Sequence, residues 1–264
     1  MSTGALAEMP AGLDLTVTDL AVLFIATLLT FNAVARIRKT RLQNPGLLRA
    51  NIAMIAVLIC SVSVVYDVVD PVLGGRSLLN CIAHLLMVYT GWEIAASTAL
   101  MLNRFDQRPA RSLLVNPWVA LISAAGTIAA YIALNPSSSR GLEDYDHEVA
   151  YVLYWAATMA PLVLGALHLV PRMAKIMPLL REAQWLTTAS LVLLWLSFIG
   201  VLLCLLMYVA TAMLPELYVT REIVVNGTLL MFTAAFLMAT AALPRCPGRR
   251  SRRLRPVRNH SEPQ

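Results

Sequence analysis

The chain is long, apolar and short of charge. It has 264 residues, of which 58% are hydrophobic and 14% are charged, with a formal net charge of +6. A soluble domain usually carries about 25% charged residues. This composition therefore excludes an ordinary water-soluble domain and indicates a membrane protein.

Seven apolar runs follow one another along the sequence. A hydrocarbon core about 30 Å thick needs roughly 20 apolar residues per helix. The sequence therefore predicts an all-α, polytopic membrane protein, with seven transmembrane helices in one domain over residues 15–244. The loops between the runs are too short to fold as domains. The runs cover 15–35, 48–68, 79–102, 113–134, 149–170, 186–210 and 222–243.

The basic residues are distributed unevenly about these helices. All but three of the 21 lysines and arginines fall on one side, and the exceptions are Arg76, Arg140 and Arg221. Cytoplasmic loops carry the excess of lysine and arginine. We therefore predict an N-terminus outside and a cytoplasmic C-terminus. Arginine far outnumbers lysine, which favours a GC-rich bacterial genome and hence the plasma membrane.

The two ends of the chain differ in charge. Residues 1–14 lack a basic segment and a clean small-residue cleavage site, so we interpret them as an external leader before a retained helix. Residues 245–264 form an arginine-rich tail that we expect to be disordered. Each arginine there gains about 1 kcal/mol from an anionic cytoplasmic leaflet. The predicted lipid contacts are Arg249, Arg250, Arg252, Arg253 and Arg255.

The tail also allows a second interpretation, in which it docks a cytoplasmic protein partner. Nucleic-acid binding would require aromatic platforms or a folded reader, and the tail has neither.

Glu93 is the clearest functional candidate within a predicted span. A carboxylate near the middle of 79–102 costs several kcal/mol to bury, which makes it a candidate by default. Tyr89, Thr90 and Ser97 share its helical face by spacing. We expect this stripe to face other helices or water. It serves either as a proton or cation site, or as a hydrogen-bonded structural carboxyl.

His84 and Asn80 lie on another face of the same predicted helix. The nine residues between His84 and Glu93 place them about 13–14 Å apart along the axis and roughly opposite each other. The two side chains therefore cannot touch. A packed, hydrogen-bonded histidine is the favoured interpretation, and proton or ligand chemistry is the alternative.

Asp67 and Asp70 end the second predicted helix, where carboxylates oppose the helix dipole. We expect a compensating charge, with Arg76 in the same loop as the nearest candidate. An external mouth for a cation or substrate is the alternative.

The external loop 135–148 is acidic. Its carboxylates are oxygen ligands of the kind that hard cations prefer, but their spacing is not that of a calcium loop, so we favour a solvated loop. The four cysteines show no metal-ligand spacing and are interpreted as small hydrophobic residues. The acidic residues are Glu143, Asp144, Asp146 and Glu148, beside His147, and the cysteines are Cys60, Cys81, Cys204 and Cys246.

Several specific chemistries are excluded by the sequence. A retinal protein needs a lysine in its last helix, and 222–243 contains none. The zinc-protease motif H-E-x-x-H and the phosphate-binding glycine loops are absent. A haem held by two histidines is excluded because His84 and His168 lie near opposite faces. We therefore predict no cofactor, no metal site and no enzymatic activity.

Three short segments of residues 44–97 form a recognisable pattern. In this pattern the chain resembles a family of actinobacterial seven-helix integral membrane proteins described as transporters. The resemblance implies polar positions at Asp70, Asn80 and His84 but no particular substrate. The family's cytoplasmic C-terminal region has no counterpart in the tail. The matching segments are Asn44-Pro45-Gly46-Leu47-Leu48-Arg49, Asp70-Pro71-Val72-Leu73-Gly74-Gly75, and Leu79-Asn80 with His84.

Two functions follow from these features. The first is a small-solute or ion transporter, with Glu93 as its proton or cation site. The second is a membrane sensor or regulatory subunit that docks a cytoplasmic partner through the tail.

Overall fold

Every element in the computed structural model is helical within the residues that it describes, which are 17–40, 45–103, 113–137, 142, 145, 148–180 and 185–242. The predicted leader, the arginine-rich tail and most of the acidic loop lie outside these ranges. The α-helices are α1 (Val17–Thr40), α2 (Pro45–Ser61), α3 (Ser63–Val72), α4 (Leu78–Leu102), α5 (Trp118–Leu134), α6 (Val149–Ile176), α7 (Trp185–Met213) and α8 (Tyr218–Ala242).

Five of the described helices are long and apolar enough to cross a membrane: α1, α4, α6, α7 and α8. The pair formed by α2 and α3 passes the same test only as a sharply bent unit. The helix α5 has 17 residues, at the lower end of the length that a bilayer requires. The prediction of an all-α fold is confirmed. By length and composition, the described residues therefore supply five candidate spans, or six with the bent pair, and are compatible with a multi-pass membrane protein.

The predicted continuous helix over 48–68 is wrong. The axis turns by 84° between α2 and α3, and the intervening Val62 has an extended backbone. The Ser61 hydroxyl donates to the Val57 carbonyl at 2.9 Å, a bond that competes with regular helix geometry. Asp19 in α1, which is buried, accepts from the Ser63 backbone amide at 2.8 Å. A carboxylate from another helix, α1, therefore caps the N-terminus of α3.

The other helix ends differ from the apolar runs by a few residues. A 3₁₀ turn covers Leu113–Val115, and α5 begins only at Trp118. Conversely, α6 continues beyond residue 170 to Ile176, and α8 begins four residues before 222. Polar residues at a helix end can remain helical although they are not part of the apolar run. Hydrophobicity alone therefore misplaces the ends of these helices.

The helix α4 is the most buried of the long helices and packs against α2, α5 and α6. The contacts of α1 with α2 and α8, and of α7 with α6 and α8, complete the bundle. Small residues set the crossing of α4 with α6. A Cβ added at Gly165 would lie 2.9 Å from the Ala95 Cβ and 3.1 Å from a ring carbon of Phe198. Such close approach is typical of membrane helix pairs.

Candidate functional site

Glu93 is buried in the bundle, with 3% of the residue exposed. The Tyr89 hydroxyl, one turn earlier on α4, donates to Glu93 Oε1 at 2.9 Å. Thr90 and Ser97 are also buried. The predicted polar stripe of α4 therefore does turn inward, toward the other helices.

An unpredicted partner holds the same carboxylate oxygen. Arg49 in α2 donates from Nε to Glu93 Oε1 at 2.6 Å, in a short, charge-assisted hydrogen bond. The Arg49 side chain is 55% exposed, whereas that of Glu93 is 4% exposed. From the sequence, Arg49 was predicted only to be one of the cytoplasmic basic residues and part of the family pattern. The pair joins residues 44 positions apart, and no local spacing reveals it.

Further polar groups are buried at a similar depth on α1, α2 and α4. Asn32 and Asn51 are at most 1% exposed. Among the described residues, neither their amide atoms nor the Thr90 hydroxyl have a hydrogen-bond partner. With 1.5 Å of rise per residue, Asn32, Asn51 and Glu93 lie roughly 9–14 Å from the ends of α1, α2 and α4 at one side of the bundle. Neither asparagine was predicted to be a site residue, because a single amide in an apolar run is an ordinary feature of a sequence.

His84 and Asn80 lie further toward the start of α4. His84 Nδ1 donates to the Asn80 carbonyl oxygen at 2.7 Å. The imidazole ring stands edge-on to the rings of Tyr154 and Trp155, with centroids 4.9 and 4.5 Å away. His84 is thus a packed, hydrogen-bonded histidine, and it belongs to an aromatic cluster rather than to the Glu93 site.

Asp70 caps α4. Its Oδ2 and Oδ1 accept from the backbone amides of Ser77 and Leu79, each at 3.1 Å. Two glycines in the same turn, Gly74 and Gly75, have positive φ angles of 113° and 65°. The positive end of α4 therefore meets this buried carboxylate and compensates its charge, which the sequence did not predict. The Asp-Pro-Val-Leu-Gly-Gly segment is explained by turn and capping geometry.

The remaining candidates are scattered. Glu143, Asp144, Asp146, His147, Cys246 and the five tail arginines lie outside the described residues. Within the described ranges, no group of three or more histidine, cysteine, aspartate or glutamate residues could hold a metal ion. The exposed candidates are Asp67, Glu148 and His168, whereas Cys81 and Cys204 are buried and Cys60 is partly buried.

Arg221 is a buried charge that the sequence did not reveal. Arg221, near the start of α8, is 2% exposed and is the largest fully buried side chain in the described part of the chain. It was counted as one of three basic residues on the external side. A charge at the edge of an apolar run is ordinary in sequence, so only its packing reveals it.

Comparison with known proteins identifies no relative: no family model, no curated protein and no solved structure matches the chain. The resemblance to the actinobacterial transporter-like family remains a prediction.

Proposed function

We propose that this chain is a plasma-membrane carrier for a small solute or ion, in which Glu93 binds the coupling proton or cation. In this proposal α2 and α5 complete a set of seven spans. The N-terminus is outside and the C-terminus is cytoplasmic, as the basic residues indicate.

The buried Glu93 carboxylate, paired with the half-exposed Arg49 guanidinium, carries the proposal. Removing a carboxylate from water costs several kcal/mol, and a paired cation seldom repays that cost with a gain in stability. Ionisable groups held within a span mark proton relays and ion pathways. At a similar depth along the bundle, the side-chain polar atoms of Asn32 and Asn51 have no hydrogen-bond partner among the described residues. Such groups need water or an ion at this depth.

The geometry supports a simple exchange at the carboxylate. Ionised Glu93 accepts hydrogen bonds from Arg49 and Tyr89 at one oxygen, Oε1. A proton or cation bound by Glu93 neutralises that charge and weakens its attraction for Arg49. Because the Arg49 side chain already reaches the bundle surface, it can then turn toward solvent. Occupancy of Glu93 is thereby coupled to the contact between α2 and α4.

The test is a flux measurement in proteoliposomes that contain a pH-sensitive dye, under an imposed potassium diffusion potential and again under a sodium gradient. We expect the wild type to move protons under at least one of these gradients. Glu93→Gln keeps the shape of the side chain but removes its charge, and it should abolish that flux.

The matched control is Glu216→Gln, which neutralises an exposed carboxylate in the 3₁₀ turn between α7 and α8. It should retain the wild-type rate. A Glu93→Gln variant with wild-type flux would remove Glu93 from the mechanism. A wild type that moves no protons under either gradient would exclude proton coupling through Glu93 as proposed here.

The sensor hypothesis rests on residues 245–264, which lie outside the described part of the chain, and no described contact favours it. A pull-down with and without those residues tests it, and identical partner lists would count against a docking tail.

A further inference from the structure

The short helix α3 turns away from α2 at the point where α2 is long enough to have crossed a bilayer. The helix α2 has 17 residues and packs against α4, a candidate span. At about 1.5 Å of rise per residue, α2 is roughly 25 Å long, close to the thickness of the hydrocarbon core. The axis then turns by 84° into α3. With α2 as a span, α3 therefore runs roughly parallel to the membrane surface.

Hydrogen bonds along α3 hold one side of it against the bundle. At its start, the Ser63 backbone amide donates to Asp19 Oδ1 of α1 at 2.8 Å. Tyr66, which is 5% exposed, donates from its hydroxyl to Ser77 Oγ at 3.1 Å. Near its end, the fully buried Asp70 accepts from the Ser77 backbone amide at 3.1 Å. Because these contacts fix the rotation of α3 about its own axis, the side opposite Tyr66 and Asp70 faces outward.

The outward side of α3 is apolar, with one polar and one apolar flank. Residues four apart share a stripe on the surface of a helix. In the outward stripe, Val68 and Val72 are 64% and 83% exposed. Asp67, on the polar flank, is also exposed. An amphipathic helix of this kind lies in the membrane interface, with its apolar side in lipid and its polar side in water. The outward stripe is Val64, Val68 and Val72, the polar flank carries Ser63 and Asp67, and the apolar flank is Val65 and Val69.

We propose that α3 is an interfacial helix whose partner is the lipid at the boundary between headgroups and acyl chains. The outward valine stripe contacts the acyl chains, and the flank with Asp67 faces water. Lipid is the occupant because α3 begins at the depth where α2 leaves the hydrocarbon core. Ile59, one turn before the bend, is 45% exposed and already faces lipid when α2 spans the membrane. The inference rests on the part of the proposed function that makes α2 a span, and not on Glu93.

The experiment measures the membrane depth of spin labels on the full chain in proteoliposomes. The four native cysteines are replaced by alanine, and Val64→Cys, Val68→Cys and Val72→Cys each carry one nitroxide label. Accessibility to oxygen, which concentrates in lipid, is compared with accessibility to a water-soluble nickel chelate. We expect all three labels to favour oxygen and to lie at nearly the same depth. A helix that continued the span would separate the labels at Val64 and Val72 by about 12 Å in depth.

Matched controls come from α3 itself and from α2. Asp67→Cys lies beside Val68 in sequence but on the polar flank, so its label should favour the nickel chelate. Ile52→Cys and Ile59→Cys are at exposed positions of α2, which are 54% and 45% exposed in the structure. Their labels should both favour oxygen and differ in depth by about 10 Å, as expected for a helix that crosses the bilayer.

Four other outcomes would each overturn the proposal. A depth that changes steadily from Val64 to Val72 would make α3 part of a span, and labels that favour the nickel chelate would place the stripe in water. Labels that neither reagent reaches would mean that protein covers the stripe, and spin–spin broadening would then identify a second copy of this chain. Equal depths at Ile52 and Ile59 would show that α2 is not a span, so the seven-span arrangement would fail as well. Proton flux is measured separately, and the role of Glu93 is decided by that test.

Discussion

In the pair of Glu93 with Arg49 the carboxylate is buried and the guanidinium reaches the bundle surface, with side-chain exposures of 4% and 55%. In the pair of Arg221 with Glu222 the burial is reversed, with 2% for the guanidinium and 39% for the carboxylate. The atoms are 2.6 Å apart in the first pair and 3.3 Å apart in the second. The two regions therefore bury opposite charges and hold them by different means.

The difference lies in what compensates each buried charge. Glu93 depends on donors, Arg49 and the Tyr89 hydroxyl. Arg221 depends largely on aromatic faces, which attract a cation without fixing its hydrogen bonds. Loss of the more exposed partner should therefore matter much more at Glu93 than at Arg221.

The largest expected effect is the loss of Arg49. Arg49→Ala leaves a buried carboxylate without its counter-charge and should lower the free energy of unfolding by about 3 kcal/mol at neutral pH. Glu222→Ala should cost less than about 1 kcal/mol, as is usual for a partly exposed pair. Denaturant titration in detergent micelles measures both. Equal losses of unfolding free energy in the two variants would contradict the view that Glu93 depends on its partner more than Arg221 does.

A double variant sharpens this result. A neutral side chain is cheaper to bury than a carboxylate without a counter-charge. Combining Arg49→Ala with Glu93→Gln should restore much of the lost stability, which a mere packing defect at Arg49 would not allow.

The second-largest expected effect concerns the crossing of α4 with α6. Gly165→Ala places a methyl group 2.9 Å from the Ala95 Cβ and should cost about 1–3 kcal/mol through overpacking. The same substitution at Gly227 in α8 enters open space and should be neutral or stabilising, because alanine is the better helix former. Thermal unfolding of both variants measures this, and a tolerated Gly165→Ala would argue against the close crossing.

The smallest effect is at the start of α4, the helix that carries both Glu93 and His84. Asp70→Asn weakens the cap on two backbone amides and should destabilise by about 1 kcal/mol. Asp67→Asn, at an exposed position one turn earlier on α3, should have little effect. If thermal unfolding shows equal losses, the cap at Asp70 contributes nothing specific.

Local spacing predicted one part of the Glu93 site and missed the rest. Tyr89 lies one helical turn from Glu93, so periodicity alone placed it on the correct face. Arg49 is on another helix and its contact depends on how α2 and α4 align, which no spacing encodes. The prediction of one continuous helix over 48–68 was wrong for the same reason. Its apolar run is continuous, but Asp19, 44 residues away, stabilises the break before Ser63.

By itself, the sequence determined that the chain is apolar and helical, and which stretches of it are long enough to span a bilayer. Those properties are set by residues that are neighbours in the chain, through hydrophobicity and local hydrogen bonding. Only the tertiary structure decided that α3 bends away from α2, that Asp70 caps α4, and that Arg49 and Arg221 have opposite burial. Each of these depends on groups brought together by packing, where a charge is stabilised by what surrounds it and not by its position in the sequence.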